Sequence, residues 1–176
     1  MISAILKNKI KRIRLLIMDV DGVLTDGKIV LDHQGRELKF FDVQDGSAIV
    51  NFHRAGYKTA IISAKSAAAV KARAKDLGID KIYQNAYPKR LAYRRLLQSL
   101  RLKDHEVCYI GDDLADLGVL KRVGFAVGVP NAIPEVKAVV HHVTRKRGGH
   151  GAVREVIELI LKTQGKWTKI VETYSL

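Results

Sequence analysis

The sequence predicts an α/β protein of three layers, with a parallel sheet covered by helices on both faces. Two observations carry that prediction. Short apolar runs of strand length alternate with helical patterns of roughly ten to fifteen residues, the signature of strand–helix–strand units. Acidic residues cluster directly after two of those runs. Asp19-Val20-Asp21-Gly22 follows Leu15-Leu16-Ile17-Met18, and Gly111-Asp112-Asp113-Leu114-Ala115-Asp116 follows Val107-Cys108-Tyr109-Ile110. In open parallel sheets ligands bind outside the carboxyl ends of the strands, where both clusters fall.

The elements follow in order. After a basic leader, Arg14 to Met18 reads as the first strand, ending at Asp19. Lys28 to Leu31 and Glu37 to Phe41 read as a β-hairpin around Asp32-His33-Gln34-Gly35-Arg36, a protruding flap over about residues 27–42. Asp45 is expected to cap a helix running to about Ala55, with Gly56 as its stop. Thr59 to Ile62 is a buried strand ending at Ser63. A helix over Ala67 to Leu77 closes at Gly78, and Lys81 to Tyr83 is a short strand. Pro88 suits a first helical turn, and that helix continues towards Leu100. Glu106 to Ile110 is a strand, Leu114 to Val123 a helix, and Phe125 to Val127 and His142 to Thr144 are short strands. Val153, Val156, Ile157, Ile160 and Leu161 recur at the spacing of an amphipathic helix over Gly151 to Lys162. The tail from Gln164 is weakly patterned, with Trp167 able to dock it.

Composition narrows the function. The chain has 176 residues, 47% of them apolar, enough for one domain over 1–176 with a sizeable core. No apolar stretch approaches a membrane span, and Met1 to Arg14 lacks the apolar block of a secretory signal. The single cysteine, Cys108, sits in a core strand and has no internal partner, so a cytoplasmic location is expected. The net charge is +13, yet the basic residues are scattered along the chain. That pattern fits a field attracting a small anion better than a nucleic-acid face.

Carboxylates crowded at strand ends repel one another and lose hydration, so they need a cation or shared protons. A hard divalent ion such as magnesium answers that need with oxygen ligands. Asp19, the first acidic group after its strand, is the candidate nucleophile towards phosphorus. Asp21 is the candidate acid and base, for the leaving alcohol and then for water. Gly22 allows a sharp turn that brings backbone amides to the phosphate. Asp112 would complete the metal site, with Asp113 and Asp116 ligating through water or orienting the ligands. Ser63 offers a hydroxyl, and Lys89, at a helix start, a fixed cation.

Other residues read more plainly. Arg154 suits an ion pair with Glu158 along its helix, and His33 an exposed loop. His141 and His142 face opposite ways and make a poor metal pair. Gly148-Gly149 and Gly151 read as a flexible approach to a helix. Phe40 and Phe41 cannot both face the core, so the hairpin has a motive to pack on copies of itself.

In their order and residues these motifs resemble those of the haloacid dehalogenase-like phosphatase superfamily. Asp19 to Thr25, Ser63, Lys89 and Gly111 to Asp116 match its four motifs. Within it, roughly residues 12–165 resemble the capless family of 3-deoxy-D-manno-octulosonate 8-phosphate phosphatases. Asp19 to Gly27, Asp45-Gly46, Arg73 to Ile79 and Gly148 to Glu155 carry that likeness. The resemblance implies a Rossmann-like core without a large cap and phosphate release in lipopolysaccharide precursor synthesis. It also implies a homotetramer joined through the hairpin, and Mg2+ held by the Asp19 and Asp112 side chains and the Asp21 carbonyl. Where the family often has Gly-Arg after the motif-two hydroxyl, this chain has Ala64-Lys65. Lys65 is therefore the candidate for the substrate carboxylate, without arginine's two-pronged donor. That departure keeps open a related substrate such as an N-acylneuraminate 9-phosphate. A reading of another class is a non-catalytic scaffold or nucleic-acid binder.

Overall fold

In the computed structural model, which describes residues 2–175, the apolar runs become strands. They are β1 (Leu15–Met18), the hairpin strands β2 (Val30–Leu31) and β3 (Glu37–Leu38), β4 (Lys58–Ile62), β5 (Lys81–Tyr83), β6 (Val107–Gly111), β7 (Phe125–Gly128) and β8 (His142–Val143). All but the hairpin join one parallel sheet in the order β5-β4-β1-β6-β7-β8. β1 lies at its middle and is buried along its whole length, as its unbroken apolar run requires.

From β1 the chain builds outward through β4 and β5, then crosses back to build β6, β7 and β8 on the other side. The order therefore reverses beside β1, and a crevice opens there at the carboxyl edge. The register is flush: Met18 pairs with Ile110 on one side and Ile61 on the other. Asp19, Asp112 and Ser63 consequently leave neighbouring strands at the same edge.

The helices are α1 (Ala4–Ile10), α2 (Val43–Arg54), α3 (Ala68–Asp76), α4 (Lys89–Leu100), α5 (Leu117–Leu120), α6 (Pro134–Lys137), α7 (Ala152–Thr163) and α8 (Trp167–Glu172). α1 and α2 pack against α7, and α4 against α5, flanking the sheet. The predicted stripe of α7 is wholly buried from Val153 to Leu161. Each such aliphatic side chain is worth about 1.5–3 kcal/mol when removed from water. No described helix is long and apolar enough to cross a membrane.

Several expectations are corrected. The leader is not merely basic: Ser3 accepts from the Leu6 N–H, caps α1, and lets Ile10 reach the core. Asp42, not Asp45, caps α2, accepting from the N–H groups of Gln44 and Asp45. Asp45 lies inside the first turn, buried, and accepts instead from the Arg154 N–H at 2.7 Å, so it caps the start of α7 from another helix. The helix expected over Leu114 to Val123 is broken into a 3-10 turn, Leu114–Asp116, and the short α5. The break follows from Asp116, whose buried carboxylate bonds back to the N–H groups of Asp112 and Asp113.

The hairpin ladder is shorter than its sequence pattern, pairing only Val30 with Leu38 and Leu31 with Glu37. α6 was not foreseen, and the tail forms α8. Trp167 docks on the core as expected, while Gln164 donates to the carbonyls of Ile10 and Ile13 and ties the tail to the end of α1.

Candidate active site

The strand ends bring three carboxylates into one group. Oxygens of Asp19, Asp112 and Asp116 all lie within 4.8 Å of one another. Lys89, first residue of α4 and buried, reaches into the group with its Nζ 2.7 Å from Asp19 and 2.6 Å from Asp116. Pro88 stands at the N-cap of α4 and starts the helix at the point that aims Lys89 inward. Asp116 is fully enclosed. One oxygen accepts from Lys89 and the Tyr109 hydroxyl, the other from the N–H groups of Asp112 and Asp113. With both oxygens engaged, Asp116 is an orienting group rather than a free ligand, although it stands within ligand range.

The electrostatics point to a cation. Burial, with Asp116 nearby, pushes the Asp19 carboxyl up to about 7 against the pull of Lys89. Burial and the charges of Asp19, Asp116 and Asp113 push Asp112 up to about 8. For Lys89 burial alone would lower the pKa, but Asp19 and Asp116 outweigh it, so the ammonium stays charged. One lysine does not neutralise this set. Oδ1 of Asp112 is buried and has no hydrogen-bond partner. An orphaned carboxylate oxygen beside a second hard donor, Asp19, fits a magnesium-type ion, which binds through oxygen.

The loop after β1 is built to press against Asp112. Gly22 has φ +87°, and a side-chain carbon there would fall 1.9 Å from an Asp112 oxygen. No other residue fits that approach. The loop is braced from behind by Gly148 and Gly149, which the sequence reading took for a flexible approach. Gly148 donates to Asn131, Asn131 donates to the Gly22 carbonyl at 2.8 Å, and Gly149 donates to the Val23 carbonyl at 2.9 Å. The two glycines are there because backbone meets backbone. Neither this contact nor Asn131 carries a local sequence signal, since the partners lie more than a hundred residues apart in the chain.

The remaining sequence-predicted residues are distributed around this centre. Ser63 is buried at the end of β4, and its Oγ accepts from the Lys65 N–H. Lys65 is exposed, with no ion pair among the described residues. Asp113 is exposed and accepts from the Leu114 N–H, capping the 3-10 turn, yet is near enough for its charge to act on Asp112. Asp21, half-buried, turns to the hairpin, where Lys39 Nζ approaches its Oδ1 at 2.6 Å. The sequence reading missed Lys39. Arg154 pairs with Glu158 at 2.8 Å as expected. His141 accepts from the Ala126 N–H while His142 faces Glu155, so the two do not form a metal pair.

This arrangement, a carboxylate nucleophile candidate and a buried lysine at the switch point of a parallel sheet, defines a phosphoryl-transfer type of α/β hydrolase. The model of the haloacid dehalogenase-like hydrolase family matches residues 78–157. A 3-deoxy-D-manno-octulosonate 8-phosphate phosphatase of Yersinia pestis is 47% identical over 154 residues, 88% of this chain and 82% of that one. Its Escherichia coli counterpart is 44% identical over 165 residues, 94% of this chain and 88% of that one. The solved structure of the Moraxella catarrhalis phosphatase of the same name, in complex with a magnesium ion, a phosphate ion and KDO, superimposes with a TM-score of 0.94. It is 43% identical and covers 96% of this chain and 97% of that one. The chain belongs to the 3-deoxy-D-manno-octulosonate 8-phosphate phosphatase family of haloacid dehalogenase-like hydrolases.

Proposed function

We propose that this protein is a magnesium-dependent phosphatase that hydrolyses 3-deoxy-D-manno-octulosonate 8-phosphate to the sugar acid and phosphate, a step in lipopolysaccharide precursor synthesis. One observation carries the reading. Asp19, Asp112 and Asp116 converge around Lys89 at the switch point, with an orphaned Asp112 oxygen, in a chain of this family.

In the first step an Asp19 oxygen attacks phosphorus, the phosphorus–oxygen bond to the sugar breaks, and the carboxylic acid of Asp21 protonates the departing alkoxide. In the second, Asp21, now a carboxylate, takes a proton from water. That water's oxygen attacks phosphorus, the aspartyl-phosphate bond breaks, and Asp19 is restored. Lys89 stays charged, holds Asp19 in line and offsets phosphate charge, and Ser63 donates to a phosphate oxygen. Asp116 fixes Lys89 and the Asp112 backbone. The side chains of Asp19 and Asp112 and the Asp21 carbonyl would hold Mg2+, which when bound would supply positive charge against the phosphate oxygens. Gly22 brings backbone close to the phosphate, and Lys65, two residues beyond Ser63, meets the sugar carboxylate as a point charge.

The active form is a cytoplasmic homotetramer assembled through the hairpin, with no nucleic-acid partner. In support, Ile29, Leu31, Leu38 and Phe40 are exposed on the hairpin, and Phe40 is 68% exposed. Exposed apolar residues gathered in this way mark an interface.

The test is phosphate release from a panel of sugar-acid phosphates, with and without a chelator. The octulosonate ester should be preferred, with activity lost on chelation and restored by magnesium. Asp19→Asn should fall below detection while keeping the wild-type circular dichroism; turnover in that variant removes the nucleophile. Lys65 supports a second reading, an N-acylneuraminate 9-phosphate as substrate. The ratio of kcat/KM for the two esters separates them.

A further inference from the structure

We propose that Lys39, carried by the hairpin, is the positioning residue for the acid–base carboxylate of Asp21. The inference rests on the phosphatase reading above and extends it to a residue outside the four motifs.

Asp21 has no place in the Lys89 network. Asp19 and Asp116 share Lys89, and Asp112 leans on Gly22. Asp21 has a lysine of its own: Lys39 Nζ lies 2.6 Å from its Oδ1 and 2.8 Å from Oε1 of Glu37. The lysine side chain is only 2% exposed, against 29% for Asp21 and 26% for Glu37. A lysine so covered is rare unless its charge is answered, and here two carboxylates answer it.

The hairpin sequence explains how it comes to be covered. In Glu37-Leu38-Lys39-Phe40 alternate side chains point to opposite faces. Leu38 and Phe40 turn outward and are exposed, while Glu37 and Lys39 turn towards the catalytic loop. Glu37 holds the ammonium from the hairpin side, so the ammonium can hold Asp21 from the other.

The geometry suits a proton-transfer group. The contact occupies Oδ1 of Asp21, and Oδ2 has no hydrogen bond among the described residues. An anchored oxygen limits rotation of the carboxyl and leaves the second oxygen for the alcohol and then for water. Misplacing a reacting group by about 1 Å can cost on the order of a hundredfold in rate. General acid–base transfer as a whole contributes about 10²–10⁴-fold.

The experiment reads leaving-group selectivity. An alkoxide leaving a sugar phosphate needs a proton in the transition state, whereas p-nitrophenolate leaves without one. The quantity measured is kcat/KM for 3-deoxy-D-manno-octulosonate 8-phosphate divided by kcat/KM for p-nitrophenyl phosphate, in the full-length magnesium-loaded enzyme. Lys39→Met and Lys39→Gln should each lower that ratio about 10- to 100-fold. Lys39→Arg should restore most of it. In an Asp21→Asn background, where the ratio has already fallen, Lys39→Met should lower it no further.

A lysine that only fastens the hairpin predicts otherwise. Both esters would then suffer alike, or the losses from Asp21 and Lys39 would multiply; either result overturns the inference. A fall in Asp21→Asn with none in either Lys39 variant overturns it while leaving the acid–base reading intact. No fall in Asp21→Asn removes both. If wild type spares the octulosonate ester, only the substrate reading fails. The same ratio, taken with a primary alkyl phosphate that is turned over, still decides on Lys39.

Discussion

Asp19 and Asp112 owe their chemistry to burial more than to any single neighbour. Removal from water is the largest contribution raising each carboxyl, to about 7 and about 8. A carboxyl raised on folding binds its proton more tightly in the folded chain. Its stabilising effect is complete below the ordinary value of 3.8 and is lost as pH climbs through 7 and 8. The metal-free protein should therefore melt at progressively lower temperature between pH 5 and pH 8. Magnesium competes with those protons, so it should raise Tm more at pH 8 than at pH 5. Thermal denaturation with magnesium or with chelator checks this; equal shifts at both pH values would contradict it. The acidic tips and Lys89 were legible in the sequence because each sits at a fixed offset from a strand or helix end. Lys39 was not, because its partner Asp21 lies on another element and nothing in Glu37-Leu38-Lys39 marks a lysine that will be covered.

Elements hold one another in place through contacts that look local in sequence and are not. Asp45 illustrates this at the start of α7, where it accepts from the Arg154 N–H with its own helix capped by Asp42. Burial pushes Asp45 up to about 6, against backbone donors at the start of α7. A neutral amide keeps the acceptor without the buried charge. Asp45→Ala should thus lose about 1–2 kcal/mol of stability in urea denaturation, and Asp45→Asn clearly less. The loop after β1 is held in the same long-range way. An alanine side chain at position 148 would fall 1.7 Å from the Gly22 carbonyl oxygen, where only backbone could yield. Gly148→Ala should cost roughly 1–3 kcal/mol and lower kcat together with it, read by denaturation and phosphate release. Helix periodicity and glycine content announced α7 and its approach. They said nothing about what the glycines touch, because close backbone approach depends on two segments meeting.

As a whole, the molecule turns its charged centre to one edge of the sheet and an apolar hairpin to the outside. Phe40 and Leu38 carry the exposed face of the strand whose other face bears Lys39. Phe40→Asp should therefore break the proposed homotetramer, seen as a drop in mass by light scattering after gel filtration. An unchanged mass would place the interface elsewhere. The strands, their alternation with helices and the position of the acidic clusters were readable from the chain, since buried parallel strands are continuous apolar runs and their ends are abrupt; the order of the strands came only from the structure. The helix expected after Asp112 was misjudged because the Asp116 carboxylate turns back to the N–H groups of Asp112 and Asp113, and the hairpin ladder ends sooner than its pattern. The place of the acidic groups at the sheet edge was thus written in residue type and spacing, which act within a few residues of a strand end. Which groups are paired, orphaned or braced was set by packing between distant segments, for a carboxylate's charge state and freedom depend on what surrounds it in space.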